Sequence, residues 1–283
     1  MYNGNLKLRR PEAAAIQYDT LSLNPANGVL VSTISGMTAV SATLNTSTKV
    51  SGVGENIYGQ TIKGKPLTVE GFILDDNKPL KSSMLAIVQA GNVGTLELDC
   101  QNAISSSNSK TQYVLDVIVK DAPTISQENH SKFSFTLYAP TPYWRTVNPA
   151  SFTGFVNDTS NPNVYYYGNV EADYTLKFKA DKQMNKATFT YASRKLVLDF
   201  TTAVSANTEV VFSRGENGRV KLTVGGIEHN EYIDLSNTTL WMLPVHGAMG
   251  AKLKVEGASG IALASSSLEY YTRYASVISW GSA

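Results

Sequence analysis

Alternation of apolar and polar side chains is the dominant pattern along this chain. Residues 95–100 set Leu96 and Leu98 against Glu97 and Asp99, and residues 112–119 place Tyr113, Leu115, Val117 and Val119 on one face. Phe133, Phe135 and Leu137 form a third set. A period of two is the period of an extended strand, so each run predicts a half-buried β-strand. Residues 66–74 (PLTVEGFIL) read as a buried strand stopped by the turn Asp75-Asp76-Asn77. Upstream, residues 28–40 (GVLVSTISGMTAV) predict a strand, a kink at Gly36 and another strand. Residues 41–64 are polar, with Gly52, Gly54, Gly59 and Gly64, and predict a long loop or flexible hairpin.

A different period marks residues 80–90. Leu80, Met84, Ile87 and Val88 fall at i, i+4, i+7 and i+8, one apolar face of a helix. Pro79 suits a first helical turn and Gly91 a C-terminal stop. Met84 on that face is core packing rather than a cofactor contact. Beyond Pro140 and Pro142, which cannot donate to a ladder, the period of two resumes. Tyr174, Leu176 and Phe178 alternate with polar neighbours, and residues 196–200 repeat the pattern. Residues 208–212 and 220–224 flank Gly215-Glu216-Asn217-Gly218, a hairpin turn. Residues 240–244, 251–256, 261–263 and 270–278 are further strand candidates. Short strands at roughly ten-residue spacing, with no convincing helix among them, predict a β-sandwich in the second half.

Composition narrows this picture. The chain has 283 residues, enough for two ordinary domains, and 42% of them are hydrophobic. A formal net charge of +1 gives no basic grip for sequence-specific nucleic acid and no long-range pull toward an anionic membrane. No stretch approaches the roughly 18 apolar residues of a spanning helix, so no membrane insertion is expected. The first residues lack the shape of a signal peptide, which leads us to expect synthesis and assembly in a cytoplasm. Cys100 stands alone, so no intrachain disulfide can form; following Leu96 and Leu98, it reads as a small buried thiol.

Candidate chemistry is sparse. His130, His229 and His246 lie far apart, in no metal-ligand spacing. No G-x-S-x-G elbow supports a serine nucleophile. Gly52-Val53-Gly54 is followed by Gly59 at the wrong spacing for a phosphate loop, and Asp75-Asp76-Asn77 lacks the calcium-loop pattern. No catalytic residue, metal ligand or cofactor is expected, and the protein is read as a non-enzyme. Aromatic side chains are the remaining candidates: Tyr165 and Tyr166, within the triplet ending at Tyr167, together with Trp241, could form a sugar-stacking platform. Core packing and subunit contact explain the same residues, since amphipathic aromatics are enriched at interfaces.

The punctuation in mid-chain carries a family resemblance. PLTVEGFILDDNKPL precedes the helix, Gly94-Thr95-Leu96 opens the next strand, and YVLDVIVKDAP and FSFTLYAPTPYW follow. The last of these ends in the proline-aromatic step Pro142-Tyr143-Trp144, after which comes YYGNVEADYTLKF. The chain closes with the aromatic-basic tail Tyr270-Tyr271-Thr272-Arg273-Tyr274. In this order the segments resemble the phage distal tail (Dit-like) proteins, hub components of the tail tip in long-tailed, non-contractile phages. Tyr167 stands where that family commonly has an asparagine.

The resemblance implies a mainly β fold in two parts. Residues 1–145 would be a ring-forming (belt) domain with one helix, and residues 146–283 a galectin-like or carbohydrate-module-like β-sandwich. Whether the last strand returns to the first domain is left open. It further implies a virion structural protein: a homo-hexameric ring with a central channel for DNA. One face would dock on the major tail tube protein and the other on the tail-associated hub or lysin protein. The sandwich would project toward receptor-binding components. The segment 41–64 is expected to reach a neighbouring copy or the next ring. The alternative is a carbohydrate-binding protein that recognises host cell-wall polysaccharide through the sandwich.

Overall fold

A computed structural model describes residues 2–10, 17–38, 40–48, 55–75, 77–101, 111–127, 130–153, 166–191, 194–215, 219–240, 242–243, 253–256, 265–275 and 277–279. The fold is mainly β, with a single α-helix among the described residues. The chain divides into two compact units, Met1–Val147 with Tyr274–Ala283, and Asn148–Arg273.

The first unit holds β1 (Gly4–Arg9), β2 (Tyr18–Leu23), β3 (Val29–Ser35), β4 (Ala42–Thr48), β5 (Glu55–Ile62) and β6 (Lys65–Ile73). After α1 (Lys78–Ile87) come β7 (Val93–Gln101), β8 (Thr111–Ile125), β9 (Ser131–Ala139) and β10 (Trp144–Thr146). The main sheet runs β2-β1-β7-β8-β9-β6-β3. Tyr2, just ahead of β1, bridges to Val31 in β3, so the sheet curls until its far edge meets the start of β1. Its inner face carries Leu6, Leu96, Leu98, Val117, Phe135 and Val69, each with 2% exposure or less. Helix α1 lays Met84 and Val88 into this core, with Leu80 and Ile87 packed partly beside them. Full burial of a side chain such as Met84 or Val88 contributes roughly 1.5–3 kcal/mol.

Local sequence explains the ends of these elements. The Asn77 side chain accepts a hydrogen bond from Leu80 N at 3.1 Å, and Pro79 stands in the first turn, where its missing N–H costs nothing. Gly36 ends β3 with φ of +83°, and a Cβ there would lie 2.2 Å from the Pro66 carbonyl oxygen. Strand β8 runs past the apolar set at residues 113–119 to Ile125, and Pro123 falls within a register shift between Asp121 and Thr124. Strand β9 stops at Ala139, directly before Pro140. Within the segment 41–64, β4 and β5 pair as an antiparallel ribbon, a two-stranded sheet that pairs with no other described strand.

The second unit holds β11 (Ala150–Thr153), β12 (Tyr174–Lys179), β13 (Met184–Tyr191), β14 (Arg194–Val204), β15 (Glu209–Arg214), β16 (Val220–Val224) and β17 (Ile227–Glu228). It continues with β18 (Leu253–Glu256) and β19 (Ser267–Tyr270). One sheet runs β11-β19-β12-β15-β16-β17 and the other β14-β13-β18. Leu176, Phe178, Phe212 and Leu222 of the first share a core with Ala187, Phe189, Leu196 and Leu198 of the second. The Phe178 and Phe189 rings meet at 5.0 Å across the two layers, the arrangement of a β-sandwich. Short strands β20 (Arg273–Tyr274) and β21 (Ile278–Ser279) belong to the main sheet of the first unit, where β21 pairs with β7.

Residues 240–244 contribute a lone bridge, Leu243 to Ala172, rather than a strand among the described residues. Residues 261–263 lie outside the described residues.

Candidate functional site

The groups with chemistry are dispersed. Among the described residues no three His, Cys, Asp or Glu side chains gather where they could hold a metal ion. His130 occupies a turn with φ of +56°, and His229 stacks on Tyr232 at 4.8 Å while its Nδ1 lies 2.7 Å from Glu231. The hydrogen bond from His229 holds the Glu231 carboxyl below its ordinary range. His246, Gly52-Val53-Gly54 and Asp76 lie outside the described residues. Cys100 is buried, and burial with the nearby Asp99 charge pushes its thiol up to about 12, so it stays protonated and unreactive at neutral pH.

Two polar clusters hold the mid-chain motifs in place. In YAPTPYWR, Trp144 is fully buried and its Nε1 donates to the Met37 carbonyl at 3.2 Å. Lys65 Nζ donates to the same oxygen at 2.8 Å and lies 5.7 Å from the Trp144 ring centroid. A carbonyl has two lone pairs, so the Met37 oxygen can accept from both. Burial lowers the Lys65 ammonium to about 8. Arg145 then pairs with Asp116 at 3.0 Å.

YGNVEADY is bound as tightly within the second unit. Asp173 lies 3.1 Å from Arg214 and 3.2 Å from Arg273. Burial nevertheless keeps its carboxyl above the ordinary range, outweighing the pull of Arg273 and Arg214. This ion triad therefore fixes geometry more than it adds stability.

Of the aromatic candidates, Tyr166 is 1% exposed. Its hydroxyl donates to the Val170 carbonyl and accepts from Arg273 N at 3.0 Å, and its ring meets Tyr270 edge-on at 5.6 Å. Gly168 is required beside it, since a Cβ there would lie 2.2 Å from the Tyr166 hydroxyl oxygen. In this arrangement the Tyr166 ring presents no open face to a sugar. Tyr167, by contrast, is 70% exposed. Tyr165 and Trp241 lie outside the described residues.

Surfaces offer more than clefts. In the hairpin β4–β5, Ala42 pairs with Ile62 and Leu44 with Gln60. Paired residues of an antiparallel ribbon share a face, so Ala42, Leu44 and Ile62 line one side; the register shift between Asn45 and Thr46 takes Tyr58 out of that alternation. Leu44, Tyr58 and Ile62 are all exposed. The Tyr58 hydroxyl is held by Ser47 Oγ at 2.9 Å. An isolated two-stranded hairpin is at best marginally stable in water, so this ribbon has the character of an arm that needs a partner. Elsewhere on the first unit, an open groove of about 550 Å³ lies over β3, β6, β8 and β9, lined by Phe72, Phe133, Ile125, Glu70 and Lys132 among others. It continues through Ile125 and Ser126 into a second hollow of about 330 Å³ against Leu85 of α1.

The sequence pattern predicts a long loop or flexible hairpin over 41–64, of which the hairpin alternative matches β4 and β5, and it misses the groove. Leu44 and Tyr58 are single apolar residues in a polar segment, and Phe72 alternates onto the outer face of a strand that reads as buried on both sides.

No family model matches the sequence, and no curated protein matches it. Solved structures do resemble it. The SPP1 Dit (gp 19.1) protein, described as a paradigm of the hub adsorption apparatus in phages infecting Gram-positive bacteria, aligns with a TM-score of 0.62 at 10% identity, over 89% of this chain and 96% of that one. Chains from the phage P2 baseplate in its activated conformation align with TM-scores of 0.47 (with Ca, 11% identity, 96% and 98% covered) and 0.46 (with Sr, 12% identity, 95% and 97% covered). The fold is therefore Dit-like along nearly its whole length, and that statement rests on the first of these likenesses.

Proposed function

We propose that this chain is a structural component of a phage tail tip, assembled in the host cytoplasm into a homo-hexameric ring. The ring joins the major tail tube protein to the tail-associated hub protein and leaves an axial channel for DNA; the protein performs no catalysis. The observation that carries this reading is the likeness to SPP1 Dit, which spans both units and not one module alone. Two physical features support it. Ring closure needs a heterologous interface between two different surfaces of one chain, and the unpartnered hairpin β4–β5 supplies one of them. A net charge of +1 suits a channel through which DNA slides without being gripped.

Light scattering on the purified chain tests the reading. The expected particle has about six times the mass of the 30.6 kDa chain. A strict monomer, both alone and with tail tube protein present, would refute the ring. The carbohydrate reading is tested separately, by titration with host cell-wall polysaccharide. Binding lost on Trp241→Ala with the fold intact would favour it. Tyr166→Ala is a poorer probe, because that side chain is buried in the sandwich.

A further inference from the structure

Charge is distributed unevenly around the open groove of the first unit. The chain as a whole is near neutral, at +1. Among the described residues that line the groove and the hollow continuing it, Lys78, Lys81 and Lys132 face the single carboxylate of Glu70. Lys78 and Lys81 stand in the first turn of α1, which holds no acidic residue, and the last turn holds no basic one. That is the reverse of what the helix dipole favours, so the positive potential at this end is raised rather than lowered. The same surface carries half-buried Phe72 and Ile125, and Leu85, which is 51% exposed. Its backbone is already satisfied at two points where the ladders shift register. Ser32 Oγ donates to the Glu70 carbonyl at 3.1 Å, and Thr124 Oγ1 to the Ser134 carbonyl at 3.2 Å. The turn after β6 and the turn before β9 are tied together. Asp75 and His130 both take left-handed backbone, with φ of +57° and +56°, and Asp75 N donates to His130 Nδ1 at 3.4 Å. The groove is thus held in shape before anything enters it, and what it offers is side chains.

We infer that this groove docks an acidic segment of a partner protein. Bulky apolar side chains of that segment cover Phe72, Ile125 and Leu85, and its carboxylates meet Lys78, Lys81 and Lys132. The inference goes beyond the ring reading and does not depend on it. Charge complementarity selects the sign of the occupant: a basic segment would be repelled by three ammonium groups. The apolar floor selects its class. A phosphate polymer would satisfy the lysines and leave Phe72 and Leu85 in water, whereas a protein segment with aromatic or aliphatic anchors buries them. An apolar centre inside a charged rim is also the anatomy of protein interfaces. Recognition runs through side chains rather than an added strand, because the hydroxyls of Ser32 and Thr124 already occupy backbone acceptors there.

Selection from a displayed library of random twelve-residue peptides tests the docking, with the full-length chain as bait and the Leu85→Asp chain for counter-selection. Leu85 is exposed on α1, so that variant keeps the fold. Enriched peptides are expected to combine Asp or Glu with Phe, Trp or Leu. The best of them, labelled and followed by fluorescence anisotropy, is expected to bind about tenfold more weakly to a Lys78→Glu, Lys132→Glu chain. Both lysines are exposed, and a glutamate at the start of α1 suits the helix dipole, so loss of the fold does not explain the effect. The same chain is expected to gain affinity for the peptide remade with Lys in place of its acids, a swap that a structural role for the lysines would not produce. Enrichment of neutral or basic peptides, or none beyond the Leu85→Asp chain, would overturn the inference. So would inorganic polyphosphate or duplex DNA that binds through the lysines and ignores Leu85→Asp, since that is a polyanion site. Light scattering of the same variants keeps the two readings apart: the wild-type mass is expected in each, so a failed docking leaves the ring standing.

Discussion

Lys65 shows how a single side chain can make stability depend on pH. The residue is 4% exposed and its ammonium donates to a carbonyl, not to a carboxylate, so the charge is desolvated without an opposing charge in its hydrogen bond. Burial lowers it from 10.5 to about 8. Below pH 8 the folded and unfolded chains both hold the proton, and the cost of burying the charge is fully present. Between pH 8 and 10.5 the folded chain has released a proton that the unfolded chain still binds, so this residue's contribution to stability rises with pH across that window, by about 3 kcal/mol in all. Lys65→Met should remove the rise. At pH 7 it should be neutral or stabilising, because Trp144 Nε1 still satisfies the Met37 carbonyl. Urea denaturation of both chains at pH 7 and pH 9.5 measures this as a difference, in which the opposite contribution of the Cys100 thiol cancels. A variant that is much weaker at pH 7, with the same pH slope as the wild type, would show that the ammonium is stabilising where it sits.

At the scale of elements, legibility followed how strictly each segment keeps its period. Helix α1 was readable because Leu80, Met84, Ile87 and Val88 all serve the core, and because Pro79 marks its start. Its cap is a prediction: Asn77→Ala should cost about 1 kcal/mol and Asn77→Gly only a few tenths, measured by chemical denaturation. Strand β13 was not readable. Its inward residues are Met184, Ala187 and Phe189, and the register shift between Met184 and Lys186 breaks the period of two that a sequence pattern relies on. The first strands were obscure for a different reason. β1 offers only Leu6 and Leu8 in alternation, and its place between β2 and β7 comes from the ladder and not from its own composition. The aromatic candidates failed to be legible because consecutive tyrosines carry no sign of which ring turns inward; in YYGNVEADY, Gly168 decides it by letting the Tyr166 hydroxyl reach the backbone of Arg273.

At the scale of the molecule, the first unit is discontinuous in sequence, and this sets a test that separates the two cores. The chain leaves that unit after Val147 and rejoins it at Tyr274. The returning segment is structural. Tyr274 is 5% exposed and meets Tyr113 edge-on at 5.3 Å, Val277 is 1% exposed, and β21 pairs with Cys100 and Gln101 of β7. The second unit has its own core around Phe178, Phe189 and Phe212, to which none of the described residues beyond Arg273 contributes. Truncation after Arg273 keeps the contacts of that residue with Asp173 and Tyr166. It should therefore leave the sandwich intact and weaken only the first unit. Loss of one large buried aromatic costs about 3–5 kcal/mol, which for a unit of this size lowers its unfolding temperature by roughly 10 °C. Differential scanning calorimetry of the full chain and the truncated chain should show one transition moving down by that amount and the other fixed. If both transitions move together, the two cores unfold as one cooperative body, and the division of the chain into two units would have no thermodynamic counterpart.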